Sequence, residues 1–523
     1  MSVGKIIGEV FFRLGDMIEL ERGMFLVQTV DDLRVVVSAL AGRETGFLDL
    51  ETTSRNPKLK SVNPWHNCWI AGFAITAGTD EDIPTFYIPV GHATDLFSGS
   101  INLPMDAVVS CIKTVTESWK LWANNNIKYD MHVLQLQLGW CPDCTVEDLQ
   151  TVAKIHNSDR FLYNQTVLAE EYAGYSIVEY EKSLEPYKVG NQDYGRIPVD
   201  VMGPYACMDV KSGRTIWNTL NRLLDPELDH VRMMERAVTR VLFDTEQEGL
   251  HVNPSDIKVQ RICAGHELLL RGDRLANEID FPGFNVASNP MMNEYFVNRL
   301  GLPVVKWTNE DDDENESNPS FSKDAMTEYL VHPRAPVHIV REILELKKLA
   351  KFHSAFLKPW DELNQNGNTH PDYNQLVRTG RMSCKKPSAQ VLDKPAKKLI
   401  IPRPGCSFLN VDQSQVEFRV IVHFIKDVRC IAAYKEDMDT DYHQWVSEIA
   451  HTSRKAAKTI NFLIAFGGGK AKLLLALVKD PTIVGSIKDE ADAMAAAGAP
   501  PQEVEEYFNK KAAKLALQVY DSY

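Results

Sequence analysis

Apolar and polar residues follow two different periods along this chain. In the first 225 residues, the runs GFLDLET, WIAGFAIT and TFYIPVG have the length and the β-branched and aromatic content of strands, and helical stretches separate them. From about Leu228 the pattern becomes mostly helical, as in HVRMMERAVTRVLFDTEQEG and VREILELKKLAKFHSAFLKPW. One β-like run, SFLNVDQ, interrupts it near residue 410. The pattern predicts an α/β unit, a boundary near residue 225 and a mainly helical unit after it.

The composition is that of a soluble globular protein with more than one domain. The chain has 523 residues, of which 44% are hydrophobic and 24% are charged. No apolar run approaches the roughly 18 residues of a membrane helix, and charged residues interrupt the apolar N-terminal stretch, so we expect no signal peptide and no membrane partner. Nine cysteines, an odd number, favour a reducing compartment. We therefore expect a cytoplasmic protein, in the host cytoplasm if the chain is viral.

The charge of the chain does not decide its partner. A formal net charge of −14 counts at first against a nucleic-acid ligand. However, the block EDDDENE at 310–316 contributes six negative charges and is typical of a solvated loop. A catalytic centre rich in carboxylates would also add negative charge without preventing a basic groove elsewhere.

Two carboxylates lie two residues apart in the strand-like run GFLDLETTS. In a strand, Asp49 and Glu51 point to one face while Leu48 and Leu50 enter the core. Carboxylates that share a face repel each other unless a cation lies between them, so the pair indicates a site for Mg²⁺ or a similar hard cation. The alternative is a pair of solvated acids, because acid-x-acid spacings arise often by chance in a chain with 71 acidic residues.

Two further runs carry acids beside polar or aromatic residues. NNNIKYDMH contains Asp130, and GPYACMDV contains Tyr205 and Asp209, four residues apart and hence on one face of a helix. Taken singly, each run has an ordinary structural explanation. Asp130 could cap a helix, and Tyr205 could be a core residue beside a surface acid.

Taken in order, these three runs resemble the motifs of the DnaQ-like (ribonuclease H-like) superfamily of proofreading exonucleases, in its DEDDy form. YIPVGH at 87–92 is also similar to the strand that follows the first motif in that family. The resemblance implies an α/β ribonuclease H-like domain with a metal-dependent 3′–5′ exonuclease site. It implies two divalent ions, Mg²⁺ or Mn²⁺, and a water molecule that Tyr205 orients. The implied metal ligands are Asp49, Glu51, Asp130 and Asp209.

A second group of residues lies in the helical half, in SRKAAKTINFLIAFGGGK. Two cations and two aromatic residues recur there every four positions and form one stripe along a helix. They are Arg454, Lys458, Phe462 and Phe466. This order suits a triphosphate at one end and a base or sugar at the other, whereas a basic helix end followed by core phenylalanines is the alternative. The GGGK sequence lacks the spacing of a P-loop.

Upstream of this helix, FLNVDQSQVEFR predicts a strand that runs into a turn and a helix. Asp412 would lie at the end of the strand, where a metal ligand could project.

These runs resemble, in order, the motifs of family A DNA polymerases, the bacterial DNA polymerase I class. TGRMSCKKPSAQ is similar to the TGRLSS…PNLQ element, DQSQVEFR to motif A, DTDYHQWVSEIAHTS to the D-x-H segment and RKAAKTINFLIAFG to the fingers helix. The resemblance covers about residues 40 to 520 and implies a phage-like polymerase. The implied parts are an exonuclease domain at 1–225 and a mainly helical, partial right-hand polymerase domain at 226–523, with the palm start at 226–255, the thumb at 256–355, the palm with motif A at 356–435 and the fingers at 436–523.

The resemblance also implies a role for single residues of the polymerase half. Asp412 would bind the two catalytic ions in the palm, and Arg381 would reach the minor groove of primer-template DNA. Glu417 would close the space that a ribose 2′-hydroxyl needs, so the substrates would be dNTPs. The other implied nucleotide-binding residues are Gln413, through its backbone carbonyl, Gln415, His443, Arg454, Lys458, Phe462 and Phe466.

One element of the family pattern is missing. Family A polymerases carry a later His-Asp-Glu motif on a β-hairpin, whose aspartate is the second polymerase metal ligand, and no His-Asp-Glu occurs in these 523 residues. We therefore expect a C-terminally incomplete polymerase that is split, with a second polypeptide supplying the rest of the palm. The alternative is a stand-alone 3′–5′ exonuclease whose polymerase part only holds DNA. Gln413, Leu463 and Phe466 also depart from the family pattern, which affects nucleotide selection rather than the fold.

Overall fold

A computed structural model of the chain describes residue 14, residues 17–54, 63–93, 102–188, 194–308, 317–330, 332, 334–363, 366–449 and 453–468, and scattered positions between 490 and 514. The chain divides into two compact units. The first comprises residues 1–295 and 341–405, and the second comprises residues 296–340 and 406–523. The acidic block at 310–316, expected to be a solvated loop, lies outside the described residues.

A seven-stranded mixed sheet forms the centre of the first unit. Its strands are β1 (Ile18–Glu21), β2 (Met24–Leu26), β3 (Thr45–Thr53), β4 (Trp69–Ala77), β5 (Thr85–Pro89), β6 (Leu121–Asn124) and β7 (Thr145–Asp148). They lie in the order β1-β2-β5-β4-β3-β6-β7. Strands β3, β4 and β5 pair in antiparallel fashion, whereas β6 and β7 are parallel to β3. The three strand-like runs of the α/β pattern are β3, β4 and β5, so that prediction is confirmed.

Helices cover both faces of this sheet. They are α1 (Asp32–Leu40), α2 (Met105–Thr116), α3 (Ile127–Leu138), α4 (Leu149–His156), α5 (Gln165–Leu168), α6 (Val178–Leu184) and α7 (Val199–Leu223). Helices α1, α2 and α3 pack on the face that Leu48 and Leu50 of β3 enter. Helices α4 to α7 pack on the opposite face, where Phe47 of β3 is buried. Because successive side chains on a strand point to opposite faces, Asp49 and Glu51 lie on the α7 side of the sheet.

After α7 the chain is mostly helical, as its sequence predicts. The further helices are α8 (Asp229–Glu248), α9 (Pro254–Glu278), α10 (Asn289–Asn293), α11 (Lys323–Tyr329), α12 (Val337–Lys351), α13 (Lys358–Glu362), α14 (Lys394–Lys397), α15 (Val416–Ile425), α16 (Val428–Glu436), α17 (Tyr442–Ile449) and α18 (Arg454–Ala465). Four short strands pair as β8 (Leu250–His251) with β9 (Asn368–Thr369) and β10 (Asp372–Asn374) with β11 (Ser383–Lys385). Strands of two or three residues are too short for a sequence pattern to predict.

The prediction of a strand at SFLNVDQ is wrong. Residues 407–413 have no regular secondary structure, and Leu409 is 88% and Val411 78% exposed. A strand is stable only where a neighbouring strand satisfies its backbone N–H and C=O groups, and no strand in the described part of the chain pairs with this segment. The helix expected after it is present as α15.

The predicted boundary near residue 225 lies inside the first compact unit, which groups α8 and residues 341–405 with the sheet. The division into an exonuclease and a polymerase domain at that point stays a prediction. Among the described helices, none is both long and apolar enough to cross a bilayer.

Candidate active site

The four acids predicted as metal ligands lie on three elements of the first unit. Asp49 and Glu51 are on β3, Asp130 is in the first turn of α3, and Asp209 is on α7. Strand β6 lies beside β3 and leads into α3, so Asp130 comes close to β3. Its Oδ1 atom accepts a hydrogen bond from the Leu50 backbone N–H at 3.2 Å. Asp130 is therefore inside the site, and the cap position of α3 belongs to Asn126.

Three of the carboxylates converge. Asp49, Glu51 and Asp209 each offer an oxygen atom, and these atoms lie within 4.8 Å of one another. Glu51 is only 2% exposed, and its Oε1 atom has no hydrogen-bond partner among the described residues. A buried carboxylate oxygen without a donor is costly, because it has lost its water without a replacement. The protein groups alone therefore leave this cluster unsatisfied.

Burial and mutual repulsion favour the protonated forms of these acids. Burial raises the pKa of Asp49, although a hydrogen bond from Asn124 opposes the shift. Burial and then the charges of the other three acids raise the pKa of Glu51 well above its ordinary value. Burial and then the charge of Asp49 also raise the pKa of Asp130 and the pKa of Asp209 well above their ordinary values. A divalent cation would reverse these shifts, because its charge stabilises ionised carboxylates.

The donor set fits a hard divalent ion. Carboxylate oxygens are the ligands that Mg²⁺ and Mn²⁺ prefer, and the unpartnered Glu51 Oε1 atom is free to act as one. Asp49, Glu51 and Asp209 could hold one ion directly. Asp130, linked to Asp49 through a shared neighbour, would supply a ligand for a second ion.

That shared neighbour is Asn124, at the end of β6. Its Nδ2 atom donates to Asp49 Oδ1 at 2.9 Å and to Asp130 Oδ2 at 2.8 Å. The residue is 4% exposed. Asn124 was not among the residues predicted from the sequence, although it ends the apolar run LWAN six positions before Asp130. Nothing in the local pattern shows that it contacts a residue of another strand.

Tyr205 lies on α7 one turn before Asp209 and forms a hydrogen bond with it. Burial and then the charge of Asp209 raise the pKa of the Tyr205 hydroxyl well above its ordinary value. The phenol therefore stays protonated and is a hydrogen-bond donor at neutral pH. The ring of Tyr194, which the sequence did not point to, lies 6.2 Å from that of Tyr205.

The YIPVGH segment supports the strand behind Glu51. Glu51 pairs across the sheet with Gly72 of β4, and a Cβ atom at Gly72 would collide with the Tyr87 hydroxyl. The glycine thus leaves room for the Tyr87 ring. The Tyr87 hydroxyl donates to His92 Nε2 at 2.6 Å, while His92 Nδ1 donates to the Ile197 carbonyl at 3.0 Å. These residues have a structural role next to the acids.

In the second unit, α17 and α18 bring together residues that the sequence assigns to a nucleotide site. The Arg454 Nε atom donates to Asp441 Oδ2 at 2.6 Å. The Asn461 side-chain amide donates to His443 Nδ1 at 2.7 Å, and His443 is 2% exposed. The ion pair and the buried hydrogen bond fix the two helices against each other.

The predicted stripe of two cations and two aromatic residues lies along α18. The Lys458 ammonium lies 5.9 Å from the centre of the Phe462 ring, and the Phe462 and Phe466 rings stack 6.1 Å apart. Phe462 also lies 5.7 Å from the ring of His443. Phe466 is 73% exposed, so the alternative in which both phenylalanines are core residues does not hold for it.

Gln415 connects α15 to the segment before α17. Its Nε2 atom donates to the Thr440 carbonyl at 3.0 Å, and its Oε1 atom accepts from the Tyr434 hydroxyl at 3.1 Å. Gln415 has a φ angle of 51°, in the left-handed region that a side chain of this type rarely adopts. Both polar atoms of the Gln415 side chain therefore have hydrogen-bond partners within the protein, and the sequence alone could not show this.

The remaining residues predicted for the polymerase site are exposed to solvent. Asp412 and Gln413 are in the segment without regular structure, and Glu417 is in the first turn of α15. Asp412 makes no hydrogen bond or ion pair within the part of the chain that the structure describes. Arg381 belongs to the first unit, where it is exposed in the loop between β10 and β11.

Comparison with known proteins finds a family that resembles part of the helical half. Residues 270–497 match the family described as DNA polymerase family A. Over these residues the chain is similar to that family. It is 24% identical over 411 residues to DNA polymerase I of Pseudomonas aeruginosa, which covers 73% of this chain and 43% of that protein. It is 25% identical over 399 residues to DNA polymerase DpoZ of Acinetobacter phage SH-Ab 15497, which covers 67% of this chain and 62% of that protein. The chain spans about half the length of the relatives it matches.

A solved structure has a similar fold. It is the POL domain of Pol1 from M. smegmatis in complex with DNA primer-template and dNTP, with a TM-score of 0.58 and 16% identity, covering 94% of this chain and 86% of that chain. At this identity the likeness establishes the fold alone. The family A resemblance, inferred from motifs between residues 379 and 467, is confirmed.

Proposed function

We propose that this chain joins a metal-dependent 3′–5′ DNA exonuclease to the primer- and nucleotide-binding part of a family A DNA polymerase. The convergence of Asp49, Glu51 and Asp209 around a buried oxygen without a donor carries the proposal. The α/β fold of this region and its place before the family A segment at 270–497 support a proofreading role. The matched relatives include bacterial and phage DNA polymerases, which supports DNA as the substrate.

The chemistry follows from the arrangement of the acids. Two bound Mg²⁺ or Mn²⁺ ions would supply a water of lowered pKa and stabilise the leaving 3′ oxygen of a phosphodiester. Asp49 would be a ligand of both ions, because it lies between the Glu51–Asp209 pair and Asp130. The Tyr205 hydroxyl, whose one hydrogen is donated to Asp209, would accept a hydrogen bond from the attacking water and so orient it. Strand β3 and the buried Asn124 would keep the ligands in position.

The second half of the proposal concerns primer-template DNA and dNTPs. Arg454 and Lys458 at the start of α18 would neutralise the triphosphate, and Phe462 and Phe466 would pack against the sugar and near the template base. His443, Gln415 and the Gln413 carbonyl would complete the pocket, with Glu417 excluding ribonucleotides and Arg381 contacting the minor groove. The M. smegmatis domain was solved with DNA primer-template and dNTP, which supports the same partners here.

Templated synthesis would need a second palm carboxylate in addition to Asp412. Two divalent ions about 3.5–4 Å apart repel each other and require several anionic oxygens around them. We infer that a palm segment with a His-Asp-Glu motif, on a second polypeptide, completes the site. Exposed apolar side chains in the stretch 408–428, which contains Asp412, support such a contact, since exposed apolar patches mark protein interfaces. They are Phe408, Leu409, Val411, Val420, Phe424, Ile425 and Val428.

The exonuclease is tested by digestion of single-stranded DNA. With Mg²⁺ or Mn²⁺, the purified chain should shorten DNA from the 3′ end to mononucleotides. Asp49→Ala should abolish this, because it removes the ligand common to both ions. Asp31→Ala, which removes an acid that is exposed and paired only with Arg34, should digest at the wild-type rate. Intact 3′ ends with either metal, or equal digestion by Asp49→Ala, would refute the exonuclease.

A further inference from the structure

Helix α9 (Pro254–Glu278) packs on the rest of the first unit along one face. Ile257 and Ala264, which lie two turns apart on this face, are buried in a cluster that includes Trp360. On the same side of the helix, the Arg261 guanidinium pairs with the Asp361 carboxylate at 2.6 Å. Apolar and charged contacts thus fix this face, and the opposite face of α9 is turned toward solvent.

That opposite face carries exposed apolar side chains. Each of them is more than half exposed, and they are Val259 (58%), Ile262 (64%), Leu269 (68%) and Leu270 (54%). Their spacing places them on one side of the helix, along about 17 Å of its length. A helix face in contact with water is normally polar, and contiguous exposed apolar surface marks an interaction site. We call these four residues the α9 stripe.

Opposite charges flank the α9 stripe. Lys258 and Asp273 are exposed and make no hydrogen bond or ion pair within the ranges that the structure describes. Each of them lies about 11 Å along the helix from a midpoint beside His266. Ile262 and Leu269 each lie about 5 Å from the same midpoint. The apolar residues are therefore arranged alike on the two sides of the midpoint, whereas the two end charges have opposite signs.

We propose that the α9 stripe is the contact through which two copies of this chain form a dimer. The two helices pack antiparallel about a two-fold axis beside His266, so the same surface of each copy faces itself. Ile262 of one copy then contacts Leu269 of the second copy. Lys258 of one copy lies beside Asp273 of the second copy, and each copy neutralises the end charges of the other. This dimer does not depend on the proposed nuclease or polymerase activity.

The end charges select the antiparallel pair of identical chains. In a parallel pair, the two Lys258 ammonium groups would face each other, as would the two Asp273 carboxylates, and like charges repel. A polypeptide of another sequence would require no self-complementarity in the stripe. Two stripes of four apolar side chains make a small contact, and small contacts are weak. We therefore expect a reversible dimer with a dissociation constant on the order of 10 µM.

Sedimentation equilibrium of the whole chain without DNA, from about 1 to about 100 µM, tests the dimer. The wild type should pass from the mass of one chain to the mass of two across this range. Ile262→Glu places a charge against an apolar side chain of the second copy and should keep the chain monomeric. Val241→Glu adds the same charge on α8, at an apolar residue that is 60% exposed outside the stripe, and should dimerise as the wild type does. A wild type that stays monomeric throughout, or equal effects of the two glutamates, overturns the proposal.

An exchange of the end charges tests the antiparallel direction. Lys258→Asp and Asp273→Lys each place like charges at both ends of the contact, so each should weaken the dimer by about three- to tenfold. The double variant Lys258→Asp/Asp273→Lys restores opposite charges and should dimerise within about twofold of the wild type. A double variant as weak as the single variants overturns the two-fold arrangement. If the chain alone is monomeric and Ile262→Glu instead abolishes binding of a palm polypeptide, the stripe is a site for that polypeptide and the dimer is overturned.

Discussion

Single residues of the candidate exonuclease site act against the stability of the metal-free protein. Glu51 is buried with an unpartnered oxygen, and burial followed by the charges of Asp49, Asp209 and Asp130 raises its pKa. A carboxyl group whose pKa is raised on folding contributes its full stability below the unfolded value. That contribution is lost as the pH rises from the unfolded value through the folded one. Strongly perturbed acids that cluster in this way are typical of functional sites.

Glu51→Gln should therefore stabilise the chain in the presence of EDTA. The amide is neutral at every pH and can donate to the neighbouring acids, so we expect the free energy of unfolding to increase by about 1–3 kcal/mol at pH 8. The gain should shrink toward pH 4, where the unfolded carboxyl is also protonated. Chemical denaturation at several pH values measures this.

The matched control is Glu44→Gln, just before β3, where the carboxylate is 62% exposed and pairs with Lys120. Its effect should stay within about 0.5 kcal/mol. Added Mn²⁺ should stabilise the wild type more than Glu51→Gln. A Glu51→Gln chain less stable than wild type in EDTA at pH 8 would contradict the account of this site.

Among the elements, α8 is attached to the edge of the central sheet by a buried carboxylate. Glu147 on β7 is 1% exposed and accepts hydrogen bonds from the Arg232 guanidinium at 2.6 Å, from Arg236 Nε at 2.7 Å and from Trp217 Nε1 at 2.7 Å. Burial alone would raise the pKa of Glu147, but the hydrogen bonds and charges of the two arginines outweigh it and hold the pKa below its ordinary value. This carboxylate therefore stabilises the folded protein when ionised.

A second buried carboxylate at the other end of α8 contacts the helix that carries Asp130. Glu246 accepts from His132 Nε2 of α3 at 2.6 Å and from the Tyr373 backbone N–H of β10 at 2.7 Å, and it also pairs with Lys128. Burial opposes ionisation of Glu246, but the hydrogen bond from His132 and the charge of Lys128 keep its pKa low. Helix α8 thus links α3 to the β10–β11 hairpin within the first unit.

Glu147→Gln should destabilise the protein at neutral pH. It leaves two arginines partly buried without their counter-charge, which costs about 3–5 kcal/mol. A depressed pKa gives stability above the unfolded value that is lost as the pH falls through the folded value. The difference between wild type and variant should therefore narrow below about pH 4.3. Urea denaturation at pH 7 and at pH 3.5 measures both effects.

The same substitution at an exposed pair is the control. Glu179 is 84% exposed beside Lys182, so Glu179→Gln should change the free energy of unfolding by less than about 0.5 kcal/mol at either pH. Equal effects of the two substitutions at pH 7 would show that the buried cluster does not hold α8 in place.

In the whole molecule, the two candidate sites differ in how their predicted acids are placed. All four acids of the proposed exonuclease site lie on described elements of the first unit. The second unit has the cations and aromatic residues of α17 and α18, but its predicted palm acid, Asp412, lies on an exposed segment whose Leu409 and Val411 side chains are also exposed. The proposed function therefore predicts that the residues of this chain favour digestion over synthesis.

We therefore expect that these 523 residues do not extend a primer by themselves. The assay uses a primed template, dNTPs, Mg²⁺ and the Asp49→Ala chain, in which digestion is silenced. Adding a polypeptide with the remaining palm and its His-Asp-Glu hairpin should restore templated extension and form a stable heterodimer, with an interface that resembles a domain core.

Two outcomes would change this picture. Robust extension by the chain alone would mean that another of its own acids serves as the second ligand. A heterodimer without extension would favour the alternative in which the family A half only holds DNA for the exonuclease.

The sequence by itself determined what depends on near neighbours along the chain. Two-residue alternation predicted β3 and placed Asp49 and Glu51 on one face, and a four-residue period predicted α8 and α18. The order of the motifs predicted a resemblance to DNA polymerase family A, and the match of residues 270–497 to that family confirms the resemblance. These features follow from the fixed geometry of strands and helices, so they can be read from spacing alone.

Only the tertiary structure decided which distant groups meet. Asp209 joins Asp49 because α7 crosses the same face of the sheet, and Asn124 bridges Asp49 and Asp130 because β6 lies beside β3. The failed strand at 407–413 has the same cause, since its composition suits a strand but the described chain offers no partner for its backbone hydrogen bonds. A hydrogen bond or a metal site requires two groups at one place in space, and spacing along the chain does not determine that.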